Sequence, residues 1–305
     1  MSESGVRSPR SAKVLRRLAI GLLLSALLLF CAGCRPSQIS PTLELQTEDY
    51  SAARKHFQTH LVVQEPAPQN GEVLRPPSGA QQVEYFPELH LQAWITPPSA
   101  PGTKKPAVLF LHGGFALGAD DWDMTQPYRD AGYIVMTPAL RGENGLPGEF
   151  SMFYNETTDV LAAAAYLAKL PDVDTNHLYV AGHSVGGTLT LLASLSSSRF
   201  KAAAAFSGAP DAVAWSKGQP EFVVFDSANP REFQMRSALA FAGGFKCPVR
   251  LYCGTEETFF ATVGKQTSER AKAKGLDVEA ITVPGDHFTA VPEEIKQSLQ
   301  FFQSH

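Results

Sequence analysis

The sequence predicts an α/β fold, an eight-stranded and mostly parallel sheet with helices on both faces. Three observations carry that expectation. From residue 83 onward, short apolar runs alternate with helical patterns of about 10–15 residues, the rhythm of βαβ units. Runs such as Val108-Leu109-Phe110-Leu111 are apolar on successive residues, as strands buried on both faces must be. The composition, 44% hydrophobic and 18% charged with 19 Phe, is that of an ordinary globular chain with a sizeable core.

The N-terminus is of another kind. Arg7, Arg10, Lys13, Arg16 and Arg17 precede the apolar run Leu18–Phe30, which ends in Cys31-Ala32-Gly33-Cys34. A cationic head, an apolar centre and a small-residue cleavage site make a secretory signal. The ending resembles a bacterial lipobox, although Cys31 stands where that pattern prefers Leu. The resemblance implies cleavage after Gly33, a lipid on Cys34 and a location in the bacterial cell envelope. An uncleaved anchor is the alternative, but Leu18–Gly33 falls short of the roughly 20 apolar residues that span a bilayer. Without residues 1–33 the chain carries 21 basic and 29 acidic side chains. Phosphate backbones need clustered cations, so that balance argues against a nucleic-acid partner.

Residues 34–80 are expected to form a tether and an N-terminal helix, and residues 81–305 a catalytic domain. In the first, Tyr50, Ala53, Phe57 and Leu61 are spaced three and four apart, which predicts an amphipathic helix over 48–61. His56 and His60 share metal-ligand spacing there but lack an acidic or cysteine partner. A solvated face is expected. In the second, the strand candidates are Val83–Phe86, His90–Ile95, Ala107–Leu111, Ile134–Thr137, Leu178–Ala181, Ala202–Phe206, Val249–Cys253 and Ala280–Val283. Helix candidates are Thr157–Leu170, Val185–Leu195, Gly264–Lys274 and Pro292–Phe302. Cys247 and Cys253 fall on one expected strand about 20 Å apart. That is too far for a disulfide.

Functional residues of such sheets gather beyond the carboxyl ends of the strands. Gly182-His183-Ser184-Val185-Gly186 sits there, between a strand-type run and a small-residue helix. The Gly-x-Ser-x-Gly pattern alone is weak, but this setting describes a sharp turn that exposes a serine hydroxyl. A nucleophilic serine needs oxyanion donors and a base. Val108–Leu111 runs into His112-Gly113-Gly114, whose glycines let a backbone N–H approach a substrate carbonyl; the second donor would be the Val185 N–H. The base is expected late in the chain. Of the eight histidines, His287 follows a predicted strand and precedes the last helix. His177 falls at the wrong edge, His183 is expected to point away from the elbow, and His112 is expected to be structural. The acid should follow the preceding strand, where Glu256 and Glu257 stand after Gly254, with Asp211 after the strand before as a further candidate.

Together these motifs resemble the α/β-hydrolase superfamily, from about residue 80 to the end. The most similar branch is that of prolyl-oligopeptidase-type domains and dienelactone-hydrolase-like esterases. Ala139–Gly145, with Arg141-Gly142, resembles that branch's loop after the fourth strand, and Asn155–Asp159 also matches it. Residues 35–80 are far too short for the β-propeller of its peptidases. The resemblance implies a serine hydrolase with the triad Ser184, His287 and Glu257. It implies an oxyanion hole of Gly113, Gly114 and Val185, and no metal or organic cofactor. A carboxylic ester with a short acyl group is the expected substrate. Hydrolysis of aminoacyl or peptide amides and a catalytically inactive surface module are the alternatives. The roughly forty residues between Phe206 and Val249 hold Asp211, Trp215, Phe222, Phe225 and Phe233, and are expected to wall an acyl pocket.

Overall fold

The structure is a computed structural model describing residues 43–69, 71–98 and 102–305. Cys34, the export segment and most of the tether lie outside the described residues. Among the described residues no helix is long and apolar enough to cross a membrane.

Eight strands form one sheet: β1 (Gln81–Phe86), β2 (Leu91–Ile95), β3 (Lys105–Leu111), β4 (Ile134–Pro138), β5 (Val173–His183), β6 (Ala203–Phe206), β7 (Val249–Gly254) and β8 (Val278–Val283). Their order is β1-β2-β4-β3-β5-β6-β7-β8, with β1–β2 and β2–β4 antiparallel and every later pair parallel. All eight expected strands are present, most of them longer by one or more residues.

Nine α-helices surround the sheet among the described residues: α1 (Tyr50–His56), α2 (Ala119–Met124), α3 (Gln126–Asp130), α4 (Glu156–Leu167), α5 (Val185–Ser196), α6 (Ala212–Ser216), α7 (Pro230–Gln234), α8 (Thr258–Lys272) and α9 (Val291–Gln303). Strand alternation sends successive residues to opposite faces. Met136, Leu109, Val180, Ala203, Val249 and Val278 lie in one register row across six strands, and all are buried on the face covered by α1, α4, α5 and α8. Val108, Phe110, Val135, Tyr179 and Ala181 point the other way, against α3 and α9. Burying each of the larger side chains stabilises the fold by roughly 1.5–3 kcal/mol.

Two expectations need correction. The helix expected over 48–61 stops at His56, capped at its start by Asp49, and Phe57 is extended. Residues 57–69 then run as a strap, because their backbone finds partners on neighbouring loops. Leu61 bridges to Phe225, the Asp226 N–H donates to the His60 carbonyl, and Phe150 N–H to the Glu65 carbonyl. Phe57 and Leu61 keep helical spacing in sequence but pack, half-buried, against the core from an extended chain. His56 and His60 belong to no metal-binding group among the described residues. The second correction concerns Cys247, which precedes β7 instead of lying on it. Both it and Cys253 are free, and burial pushes both thiols up to about 12.

The segment between β6 and β7 is tied to the strap by a buried ion pair. Arg236 Nη1 donates to Glu232 Oε2 at 2.6 Å with both side chains fully buried. The other bonds are made locally: Glu232 accepts from the His60 N–H at 2.6 Å and the Thr59 hydroxyl at 2.7 Å. Arg236 also donates to the Ser151 carbonyl and lies over the Phe225 ring, 3.8 Å from its centroid. Its donors being paired, the guanidinium tolerates burial that would otherwise cost several kcal/mol.

Candidate active site

Strands β3, β5, β6, β7 and β8 all end at the same edge, where Leu111 pairs with Gly182, His183 with Phe206, and Gly254 with Val283. The loops leaving that edge carry His112–Gly114, Ser184, Ser207, Glu257 and His287. The candidate residues singled out in the sequence therefore lie along one edge of the sheet.

Ser184 occupies the turn from β5 into α5 with φ 55° and ψ −113°, a conformation that non-glycine residues rarely adopt. Its N–H donates to the Phe206 carbonyl at 2.8 Å, and its carbonyl accepts from Thr188 at 3.0 Å. The flanking glycines are required by proximity. A Cβ on Gly186 would lie 2.0 Å from the Leu111 carbonyl oxygen, and one on Gly182 would lie 2.5 Å from the Gly186 oxygen. The helix is pressed against β3 and β5, leaving the Val185 N–H at the first turn without an intrahelical partner.

His287 follows β8. Its Nδ1 donates to Glu257 Oε1 at 2.6 Å. Glu256 is exposed, and Asp211 is absorbed in capping α6 through Val213 and Ala214. Of the three candidate acids, only Glu257 reaches the imidazole. Burial raises its carboxyl pKa, but bonds from His287, from Ser207 Oγ at 2.6 Å and from the Gly254 N–H at 2.7 Å hold it below the ordinary range. Asp286 instead accepts from Thr289 and Phe288, which pulls it down to about 2 and braces the turn behind His287.

His183 departs from expectation. It does not point away: its Nε2 donates to the His287 carbonyl at 2.8 Å, and the two rings lie 4.6 Å apart. Burial brings His183 down to about 4, so at neutral pH it is an uncharged tether between elbow and base loop. Phe260 stacks on His287 at 5.5 Å. Glu294 on α9 is fully buried, and desolvation followed by the charge of Glu257 pushes it up to about 8. It is a neutral acid at pH 7.

The loop after β3 lies beside the elbow. A Cβ on Gly113 would sit 3.7 Å from Ser184 Cβ. Its amides are mostly engaged. The Gly113 N–H is among the donors that offset the desolvation of Asp121, and the Phe115 N–H donates to Gln69 Oε1 at 2.6 Å. Between them the Gly114 N–H has no partner among the described residues. Gly114 and Val185 therefore each present a backbone N–H without a partner among the described residues. Ser207, Asp121 and Gln69 were not expected from the sequence. Ser207 carried a signal, as the first residue past β6 at the functional edge; Asp121 and Gln69 carried none.

Beyond Gly114 lies an aromatic cluster. Phe115 packs against Phe150 at 5.0 Å and Phe222 at 4.8 Å, Trp215 stacks on Phe222 at 5.7 Å, and Phe153 meets Trp215 at 5.4 Å. Trp215 and Phe222 of the 207–248 segment join this cluster, whereas Phe225 and Phe233 turn into the core against each other.

With this geometry in view, the comparisons with known proteins are informative. The sequence profile of the prolyl oligopeptidase family matches residues 121–303. A puromycin-hydrolysing peptidase of Mycobacterium tuberculosis superposes with a TM-score of 0.63 at 21% identity, over 75% of this chain and 40% of that one. Dipeptidyl peptidase 4 of Porphyromonas gingivalis gives 0.63 at 21%, over 76% and 36%. Est1E of Butyrivibrio proteoclasticus gives 0.56 at 19%, over 75% of this chain and 100% of its own. The chain thus spans about two fifths of the length of the peptidases and matches Est1E over its full length. A sequence search of curated proteins returns no match.

The elbow geometry makes a paired test. Gly186→Ala should destabilise the protein by more than about 3 kcal/mol, because a backbone oxygen cannot yield as a side chain can. Gly264→Ala in α8 meets nothing closer than 3.9 Å, and should be neutral or stabilising by about 0.5–1 kcal/mol. Urea unfolding of both variants checks this; equal effects would refute the packing argument.

Proposed function

The chain belongs to the prolyl oligopeptidase family and is a serine hydrolase, and from that premise we propose that it cleaves carboxylic esters with short acyl groups through Ser184, His287 and Glu257. The observation that carries the proposal is the 2.6 Å bond between His287 and Glu257, at the strand edge from which the Ser184 elbow projects. In this reading Ser184 Oγ attacks the acyl carbonyl while His287 Nε2 takes its proton. Glu257 holds Nδ1–H and stabilises the imidazolium that forms. The Gly114 and Val185 N–H groups receive the oxyanion. His287 then returns the proton to the leaving alcohol, and water enters by the same steps in reverse to release the acid.

The ester reading is supported by the full-length match to Est1E, which is also known with ferulic acid bound. Cleavage of aminoacyl or peptide amides is the second reading. The family profile over residues 121–303 favours it, since that family is named for peptidases.

Ser184→Ala should abolish ester turnover and labelling by fluorophosphonates, and His287→Ala should lose nearly as much, several powers of ten in kcat. Glu257→Gln leaves the volume but removes the negative charge, and should cost on the order of 10⁴. Glu256→Gln, altering an exposed side chain, should change kcat less than about two-fold. Steady-state kinetics on a p-nitrophenyl ester would rank the four variants. Substantial activity in Ser184→Ala, or Glu256→Gln the more damaging of the two glutamate variants, would contradict the assignment.

Acyl length follows from the cluster beside Gly114. We read Trp215, Phe222, Phe115, Phe150 and Phe153, which pack on one another, as one wall of a short acyl pocket. Across acetyl, butyryl, octanoyl and palmitoyl esters, kcat/KM should peak at the short end. A steady rise towards palmitoyl would show a lipase-type channel instead.

A further inference from the structure

One buried charged pair has no task in the reaction as described. His112, at the end of β3, and Glu143, in the loop after β4, are 2% and 3% exposed. His112 Nε2 faces Glu143 Oε2 at 2.9 Å, and Nδ1 faces the Gly113 carbonyl oxygen at 2.9 Å. Two acceptors, one at each ring nitrogen, require two N–H donors, and only imidazolium has both. Glu143 is itself fixed, its Oε2 also accepting from the Leu140 N–H at 2.7 Å.

We propose that the His112 imidazolium, held by Glu143, is a positioning residue that aims and polarises the Gly114 N–H as an oxyanion donor; this rests on Ser184 being the nucleophile. The Gly113 carbonyl and the Gly114 N–H belong to one planar trans peptide, so they point in opposite directions. Holding the carbonyl with a cation on one side fixes the N–H on the other. A charged donor on the carbonyl also polarises the amide and strengthens its N–H as a donor. The Phe115 N–H cannot take over, because it donates to Gln69 Oε1 at 2.6 Å. Gly114 has φ +64°, which a glycine adopts freely.

The charged state has a pH range. Burial opposes the cation, but Glu143 outweighs it and, with a smaller contribution from Asp121 on α2, pushes His112 up to about 9. The other ionisable groups around the pair are Tyr85 on β1 and Asp159 on α4, both of which feel Glu143, and Asp159 is paired with Arg141. Because the pKa is raised, the aiming contact is complete at neutral pH and is lost as pH rises through about 9.

The test uses the full chain with Glu143→Gln and Glu143→Asp, a butyryl ester and an alkylboronic acid that adds to serine as a tetrahedral anion. Glu143→Gln should lower kcat about ten-fold, less than the 10²–10³ that follows loss of an oxyanion donor. KM should move less than about two-fold, and boronate affinity should fall in step with kcat, as expected of a contact made only in the transition state. The alkaline limb of kcat should shift from near pH 9 towards neutral pH, since burial then acts on His112 with only Asp121 and the Gly113 carbonyl against it. Glu143→Asp should restore most of both. An unmoved alkaline limb, or a loss confined to KM, overturns the role of His112. Should Glu143→Gln not fold, the wild-type His112 ring can be titrated by NMR, and a neutral ring at pH 7 overturns the proposal equally. A wild type that takes no fluorophosphonate at Ser184 brings down the nucleophile assignment and this inference with it.

Discussion

The contact on which the site depends is the approach of α5 to the sheet at Gly182 and Gly186. Two glycines let the helix start within van der Waals distance of the Leu111 carbonyl, and that approach forces the intervening residue to φ 55°. The strain at Ser184 is the cost of turning from strand to helix in one residue. Its return is a hydroxyl that projects beyond the strand edge and a helix N-terminus whose first N–H is unengaged. The same closeness brings Gly113 against Ser184 and lets His183, one residue before the serine, hold the loop of His287. Ser184, the loop after β3 and the loop of His287 are thus brought together by a single packing constraint.

Around the elbow, polar groups are satisfied in a way that leaves specific atoms free. Glu257 accepts three hydrogen bonds, and each serves a different element: the base, the end of β6 and the end of β7. Gln69 engages the amide that follows Gly114. Buried groups of this kind are tolerated because they are paired. Pairing also reduces the loop's freedom to reorganise as charge develops, which is how preorganised sites lower a barrier. Farther out, the strap over residues 57–69 and the buried Arg236–Glu232 pair fix the segment that presents Trp215 and Phe222.

Much of this was legible in the sequence, and the rest was hidden for definable reasons. The strands showed because a parallel sheet covered on both faces turns each one into a nearly unbroken apolar run. Ser184, His287 and Glu257 showed because each follows such a run at the functional edge. Helices α2, α3, α6 and α7 did not show, being five or six residues long and so too short to display a 3.6-residue period. Phe57 and Leu61 misled by keeping helical spacing in an extended segment. Ser207 and Gln69 act through bonds to residues 50 and 46 positions away, which no local pattern encodes. His183 and His112 were visible as residues but not as contacts, because their roles depend on which carbonyl or carboxylate the fold brings opposite each nitrogen.

The most direct measurement is the crystal structure of the protein after reaction with a short alkyl phosphonate. The account predicts one covalent bond, at Ser184 Oγ, with a phosphoryl oxygen about 2.7–3.1 Å from both the Gly114 and Val185 nitrogens. His287 Nε2 should face the ester oxygen, and its Nδ1 should remain on Glu257. Attachment at another residue, or a phosphoryl oxygen held by the Gly113 nitrogen or by side chains alone, would contradict it.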